Sequence, residues 1–168
     1  RLIALDAKTG RYKWHYQTVP GETWDFDSAM DIELADIELA GKPRKVLIHA
    51  PKNGFFYVLD RQTGKLISAE PYTYMNWATG VDKVTGRPIE TDFSRYKNEN
   101  RVISPGPVGG HNWQPMAYNP TTGLMYFPAH VSSFSFGNDS TWKFNAKVRN
   151  ITISRDHRPT ITFPHRPG

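Results

Sequence analysis

Residues 4–14 have the sequence ALDAKTGRYKW, which combines a short apolar strand, a tight turn and a second strand. The Asp side chain can cap such a turn by accepting backbone hydrogen bonds, and the Gly supplies the positive φ that closes it. The same phrase returns as LDRQTGK at 59–65, as DKVTGR at 82–87 and, with Asn in the Asp position, as YNPTTGL at 118–124. The chain therefore repeats one hairpin design.

The spacing of these phrases predicts the architecture. Gly10, Gly64 and Gly123 are 54 and 59 residues apart, and stacked four-stranded blades produce recurrence at about 40–50 residues. Apolar stretches flank three of the copies, at 2–5, 55–59 and 125–127. The pattern predicts an all-β fold, a partial β-propeller of about two to three four-stranded antiparallel blades. An ordinary β-meander that happens to use such turns is the alternative.

The segments between the phrases are less regular. Residues 31–40 repeat DIELA twice, a period of five that matches neither helix nor strand. Residues 41–44 (GKPR) would end any helix, and the apolar run that follows them favours strand–turn–strand over about 37–50. Residues 92–110 are polar and rich in Gly and Pro, which predicts a long loop that ends in the HNWQP cluster at 111–115.

Composition limits the class of protein. The 168 residues contain 13 Gly, 13 Pro and no Cys, so many turns are expected and neither disulfides nor thiolate metal sites are possible. No apolar run approaches the length of about 18 residues that a membrane-spanning helix needs. The chain begins inside a strand pattern without an initiator Met, so we expect a fragment of a longer protein.

The net charge of +5 does not indicate nucleic-acid binding, because it lies in one place. Residues 143–168 contain six Lys or Arg and one Asp, which leaves the other 142 residues neutral. A nucleic-acid face is instead spread over folded elements with aromatic residues interleaved. We therefore divide the chain into a partial propeller at 1–148 and an unassigned basic tail at 149–168.

Two carboxylates stand two residues apart in Trp24-Asp25-Phe26-Asp27. In an extended backbone the period of two would place Asp25 and Asp27 on one face. Both could then bind one hard cation, or one could bind it while the other moves a proton. A solvated turn is the alternative that this short motif leaves open.

Four segments, in order, resemble the eight-bladed quinoprotein alcohol dehydrogenases of the methanol/ethanol dehydrogenase family, which use pyrroloquinoline quinone (PQQ). The phrase at 4–14 resembles their tryptophan-docking motif, with Trp14 as the docking residue. Trp24-Asp25, the run APKNGF at 50–55 and GHNW at 110–113 are similar to the family in the same order. The resemblance covers about residues 1–148. The family's upstream Glu and Asn ligands, vicinal disulfide and PQQ-stacking Trp have no counterpart in this sequence.

The resemblance implies roles for five residues. Asp25 matches the catalytic base and a metal ligand, and Lys52 matches the cation that contacts the quinone. Asn112 and Trp113 fall in a segment that borders PQQ. Asp27 resembles the second Asp of lanthanide-dependent members, so the expected cofactors are PQQ and a lanthanide ion, with Ca²⁺ as the alternative.

The implied function is oxidation of primary alcohols to aldehydes by metal-assisted hydride transfer to PQQ. The implied partners are a small alcohol and a cytochrome c-type electron acceptor, and the family implies a periplasmic location. Open sheet edges and half a cofactor pocket would leave this fragment alone inactive. The alternative is a non-catalytic propeller that serves as an assembly or scaffold module.

Overall fold

The computed structural model describes residues 1–147, which form an all-β structure. None of these residues is helical, so no helix able to cross a membrane is present among them. The predicted tail at 149–168 lies outside the described residues. Twelve strands follow one another along the chain: β1 (Leu2–Leu5), β2 (Tyr12–Tyr16), β3 (Glu33–Leu39), β4 (Lys42–His49), β5 (Phe55–Asp60), β6 (Leu66–Pro71), β7 (Ala78–Val81), β8 (Pro88–Glu90), β9 (Arg101–Ile103), β10 (Ala117–Asn119), β11 (Leu124–Tyr126) and β12 (Phe134–Phe136).

All pairings between these strands are antiparallel, as the sequence predicts. One sheet has four strands in the order β3-β4-β5-β6, and the remaining strands form pairs β1-β2, β7-β8, β10-β11 and β12-β9. The four repeated phrases connect β1 to β2, β5 to β6, β7 to β8 and β10 to β11. Each phrase therefore closes a hairpin, which confirms the sequence prediction.

The four turns share one hydrogen-bonding pattern. In the first, Oδ1 of Asp6 accepts from the backbone N–H groups of Lys8 and Thr9 and from the Thr9 hydroxyl. The turns at Asp60 and Asp82 repeat all three bonds, and Asn119 keeps the two from the backbone. The glycines that close the turns have φ values of 69, 73, 69 and 70°. Only a residue without Cβ adopts this region at low cost.

The four-stranded sheet begins with the hairpin expected near residues 37–50. Ala40 (φ 50°) and Gly41 (φ 72°) form its two-residue turn, and positive φ at both positions is typical of the type I′ turns that join antiparallel strands. The DIELA repeat thus lies largely in β3. Strand β4 starts earlier than the sequence indicated, because Pro43 pairs with Glu38 at a place where β4 has no β5 partner.

The repeated turns also join neighbouring sheets. The indole of Trp14 covers Gly64, where an added Cβ would lie 2.6 Å from the ring, and its N–H donates to the carbonyl of Arg61 at 3.2 Å. Tyr16 covers Gly86 in the same way and donates its hydroxyl to the Gly86 carbonyl at 2.7 Å. Strand β2 therefore docks onto the next two turns, which fits the predicted packing role of Trp14.

The long loop predicted at 92–110 is interrupted by a strand. Residues 101–103 form β9, which pairs with β12 more than 30 residues later. A three-residue strand with a distant partner leaves no local periodicity, so the sequence pattern could not indicate it. The rest of the segment runs as irregular chain over the core.

The largest cluster of buried aromatic rings lies beneath the Trp24–Asp27 segment. Trp24, Phe26 and Trp77 are essentially fully buried and pack with ring centroids 5.2–5.6 Å apart. Phe55 of β5 adds a T-shaped contact with Trp77. This cluster fixes the position of the segment that contains the two carboxylates.

Candidate functional site

The Trp24–Asp27 segment is irregular, yet its side chains alternate as they would in a strand. Trp24 and Phe26 point into the core, whereas the Asp25 and Asp27 side chains are 63% and 54% exposed. Asp25 has a φ of 66°, which is unusual for a residue other than Gly. The two carboxylates therefore share a face, although the backbone is not the regular strand that the period-of-two argument assumed.

Lys52 brings the two carboxylates together. It lies in the turn between β4 and β5, its side chain is only 8% exposed, and its Nζ donates to Oδ2 of Asp25 at 3.1 Å and to Oδ2 of Asp27 at 3.0 Å. The same Nζ donates to the backbone carbonyl of Asp25 at 3.1 Å. A buried ammonium needs such partners. Three residues singled out from the sequence thus form one ion cluster.

The Lys52 side chain is held in place by the loop that precedes His111. A Cβ added to Gly109 would lie 2.5 Å from Cγ of Lys52, and Gly109 has a φ of 85°. The next residue, Gly110, donates its N–H to the Lys52 carbonyl at 3.0 Å. The Gly109–Gly110 pair therefore allows a close backbone approach that fixes the lysine stem.

The donor set fits part of a site for a hard cation. Carboxylate and carbonyl oxygens are the ligands that Ca²⁺ and similar ions prefer, and each carboxylate uses one oxygen on Lys52 while remaining more than half exposed. Within residues 1–147, no three His, Cys, Asp or Glu side chains converge as a complete metal site. Asp25 and Asp27 could thus supply two ligands of a larger coordination sphere.

Asn112 and Trp113 lie in the adjoining loop and do not join the ion cluster. Nδ2 of Asn112 donates to the Val108 carbonyl at 2.9 Å, and its Oδ1 accepts the N–H of Trp113 at 2.9 Å. Trp113 is 77% exposed. Trp113 therefore presents its ring at the surface, and Asn112 shapes the loop that displays it.

Two residues of the site were missed by the sequence analysis. Oε1 of Glu22 accepts the N–H groups of Trp24 and Phe26, on either side of Asp25, at 2.6 and 2.8 Å. His111 is fully buried and its two ring nitrogens lie 2.7 and 2.8 Å from the carbonyl oxygens of Ala50 and Gln114. Glu22 bonds to backbone groups only two and four residues away, but no sequence motif marks it, whereas the partners of His111 are set by the fold.

Comparison with known proteins agrees with this architecture. Residues 1–70 match the PQQ family described as the glucose/ethanol/alcohol dehydrogenase β-propeller domain. The chain is 52% identical over 144 residues to the quinohemoprotein alcohol dehydrogenase of Comamonas testosteroni, covering 86% of this chain and 20% of that protein. It is 49% identical over 144 residues to the 1-butanol dehydrogenase (cytochrome c) of Thauera butanivorans, covering 86% and 21%.

Solved structures give the same result. The crystal structure of the Comamonas testosteroni enzyme superimposes with a TM-score of 0.79 at 51% identity, covering 86% of this chain and 21% of that one. A europium-containing methanol dehydrogenase superimposes with a TM-score of 0.79 at 37% identity, covering 84% and 25%. The chain thus spans about a fifth of the length of the relatives it matches. Its fold is part of a β-propeller, and the chain belongs to the family of PQQ-dependent alcohol dehydrogenases.

Proposed function

We propose that the protein containing this chain oxidises primary alcohols to aldehydes with PQQ as electron acceptor, and that Asp25 is the general base. The observation that supports this proposal is the convergence of Asp25 and Asp27 on the buried ammonium of Lys52, at an exposed face. The two relatives described above are named as an alcohol dehydrogenase and a 1-butanol dehydrogenase.

Asp25 would remove the hydroxyl proton of the alcohol. Its carboxylate is more than half exposed, and its backbone is fixed by Lys52 and by the buried side chains on either side. A base held in one orientation next to a bound substrate converts a bimolecular proton transfer into a local one. When bound, PQQ accepts the hydride from the alcohol carbon and the metal polarises the reactive carbonyl, chemistry that no side chain supplies.

Lys52, Asn112 and Trp113 would hold the cofactor. The Lys52 ammonium is a compact positive charge that favours negative charge developing on nearby oxygens. The exposed indole of Trp113 offers a flat apolar surface to a planar ring system. Asn112 fixes the backbone at that indole through its bond to the Trp113 N–H.

The proposed metal is a lanthanide ion, with Ca²⁺ as the alternative. A trivalent ion close to Ca²⁺ in size gains more from a second carboxylate than Ca²⁺ does, because ligand charge is a main determinant of affinity at oxygen sites. Asp27 supplies that carboxylate and, like Asp25, bonds to the Lys52 ammonium. The europium-containing methanol dehydrogenase shows that a relative at 37% identity accepts such an ion.

We further propose a cytochrome c-type electron acceptor and a periplasmic location. A relative that is 49% identical over 144 residues is named 1-butanol dehydrogenase (cytochrome c), and the reduced quinone must pass its electrons to a redox partner. Fractionation of cells that express the full-length protein, followed by reduction of added cytochrome c, tests both proposals.

The test of the proposed function is reconstitution of the purified full-length protein with PQQ and either La³⁺ or Ca²⁺. Turnover of a primary alcohol, measured with an artificial dye, is expected with La³⁺ and absent without PQQ. A scaffold propeller would give no turnover with any combination. The 168 residues by themselves are expected to show none, since they span about a fifth of the relatives' length.

A further inference from the structure

Arg95, which is distant in sequence, contacts the segment that precedes Asp25. Its Nε and Nη2 donate to the two carboxylate oxygens of Glu90 at 2.7 and 2.5 Å, and its Nη1 donates to the Gly21 carbonyl at 2.6 Å. The guanidinium carbon lies 4.3 Å from the centre of the Trp24 ring. One planar group therefore contacts both ends of the four residues that lead to Asp25.

The residues on either side of Arg95 also form hydrogen bonds with this segment. The Ser94 carbonyl accepts the indole N–H of Trp24 at 2.8 Å, and Tyr96 donates its hydroxyl to the carbonyl of Thr23. Residues 94–96 thus bond to 21–24 across 70 to 74 positions of sequence. We call this set of contacts the Arg95 clamp.

Glu90 fixes the orientation of the guanidinium. Although burial of the carboxyl opposes the shift, hydrogen bonds from Arg95 and Ser94 lower the pKa of Glu90 below its usual range. The carboxylate therefore stays charged, and its two oxygens match the fork of donors on Arg95. A lysine could neutralise Glu90 but could not hold Gly21 and stack on Trp24 at the same time.

The clamp matters because Asp25 has an unfavourable backbone conformation. A residue with Cβ at a φ of 66° is retained only where its surroundings determine it, and such residues cluster at functional sites. Trp24 is the residue immediately before Asp25 and is fully buried. Because Trp24 and Asp25 share a peptide bond, a displacement of Trp24 is expected to move the Asp25 carboxylate relative to Lys52 and Asp27.

We propose that Arg95 is a positioning residue for Asp25: the clamp holds Trp24 so that the Asp25 carboxylate faces the metal and the substrate. This inference rests on the proposed function, because it assigns Arg95 a role in that same site. It gives no chemical step to Arg95, which contacts the loop and not the ion cluster.

The chain provides a matched control in Arg101. Its Nε and Nη2 donate to Oε1 of Glu99 at 2.9 and 2.6 Å, its Nη1 donates to the Asp92 carbonyl at 2.5 Å, and it lies 5.1 Å from the centre of the Phe93 ring. Arg101 therefore combines the same three interactions, but none of them involves residues 21–27. Arg95→Lys and Arg101→Lys make the same chemical change in the two places.

The experiment compares these variants of the full-length protein without PQQ, using Tb³⁺ luminescence to follow metal binding and hydrogen exchange to follow the 21–27 backbone. Arg95→Lys is expected to weaken Tb³⁺ binding about tenfold and to speed exchange at 21–27. Arg101→Lys should stay within about twofold of wild type in both. Tyr96→Phe, which keeps the ring but removes the hydroxyl, should shift both readouts in the direction of Arg95→Lys by a smaller factor.

Three outcomes would overturn the inference. Equal effects of Arg95→Lys and Arg101→Lys on Tb³⁺ affinity and on hydrogen exchange would mean that Arg95 contributes only to the general stability of the protein. Faster exchange with unchanged Tb³⁺ affinity would make its role structural only. A wild-type protein that binds no Tb³⁺ and oxidises no alcohol would remove the proposed function itself, and the positioning role with it.

Discussion

The four repeated turns and the Trp24–Asp27 segment show two ways in which a sequence fixes a backbone. Each turn satisfies its hydrogen bonds within six residues, and its positive φ falls on Gly. The Trp24–Asp27 segment places its positive φ on Asp25 and depends on Lys52 and on residues 94–96, at separations of 27 to more than 70 residues. The repeated structure is determined locally, and the candidate site is determined by the assembled fold.

The largest expected difference is in the rate of alcohol oxidation when Asp is replaced by Asn in the Trp24–Asp27 segment and in a repeated turn. Asp25→Asn should lower alcohol oxidation by the reconstituted full-length enzyme about 10²–10⁴-fold with either metal, since an amide cannot act as the base. The melting temperature should hardly change, because Asn tolerates positive φ better than most residues. Steady-state kinetics and thermal unfolding on one preparation measure both effects.

Asp6→Asn is the matched control. Asn119 already occupies the equivalent position in the fourth turn and keeps both backbone bonds. This variant should retain wild-type turnover. If Asp25→Asn also retained it, Asp25 would be another structural Asp, and the distinction between the two regions would fail at its main point.

The next effect sharpens the assignment of the metal. Asp27→Ala removes one of the two carboxylates that face Lys52 but leaves Asp25 in place. We expect it to abolish La³⁺-supported turnover, because the site then loses a ligand and a negative charge that a trivalent ion requires. Titration of the apoenzyme with La³⁺ and with Ca²⁺, followed by turnover, measures the change. An enzyme that works with Ca²⁺ alone and ignores both La³⁺ and this substitution would contradict the lanthanide proposal.

The repeated turns are themselves not equivalent, and Gly to Ala substitutions should rank them. At Gly64 a new Cβ would lie 2.6 Å from Trp14, so the cost combines strained φ and overpacking at about 2–5 kcal/mol. At Gly10 and Gly123 nothing lies within 4 Å, so only the backbone cost of about 1–2 kcal/mol applies. Shifts in the unfolding midpoint of the full-length variants would test this order. Equal shifts would mean that docking onto the turn adds nothing to its local energy.

This contrast explains what the sequence could predict. The all-β class, the four hairpins and the strand at Phe55–Asp60 follow from local patterns that recur, and all are present. The convergence of Asp25 and Asp27 followed in part from their spacing. Their meeting at Lys52 was not predicted, because the family resemblance implied only that Lys52 contacts the quinone and nothing near Lys52 in sequence indicates a partner 27 residues away.

Most of the features that were missed depend on distant partners. Strand β9 pairs with β12, and Arg95 contacts a loop more than 70 residues before it. The positive φ of Asp25 gives no signal in composition, because Asp is common in ordinary turns. Only the three-dimensional arrangement reveals that Glu22 and Arg95 belong to the same site.

The smallest expected effect concerns acid, and it separates Asp from Asn at otherwise equivalent turns. The Thr9 hydroxyl, then Lys13 and the backbone N–H groups of Thr9 and Lys8, lower the pKa of Asp6 from 3.8 to about 2. Because the folded carboxyl has the lower pKa, its stabilisation is complete above the unfolded value and is lost as the pH falls toward about 2. The stability gap between wild type and Asp6→Asn should therefore be constant near neutral pH and shrink below about pH 4. Thermal unfolding at several pH values measures this stability gap, and its change should be small because the turn is exposed to solvent.

Asn119 provides the control for this prediction. Its side chain does not titrate in this range, so Asn119→Ala should differ from wild type in stability by the same amount at every pH. A gap at Asp6 that stayed constant down to about pH 2 would show that the hydrogen bonds of this turn do not depend on the charge of its cap.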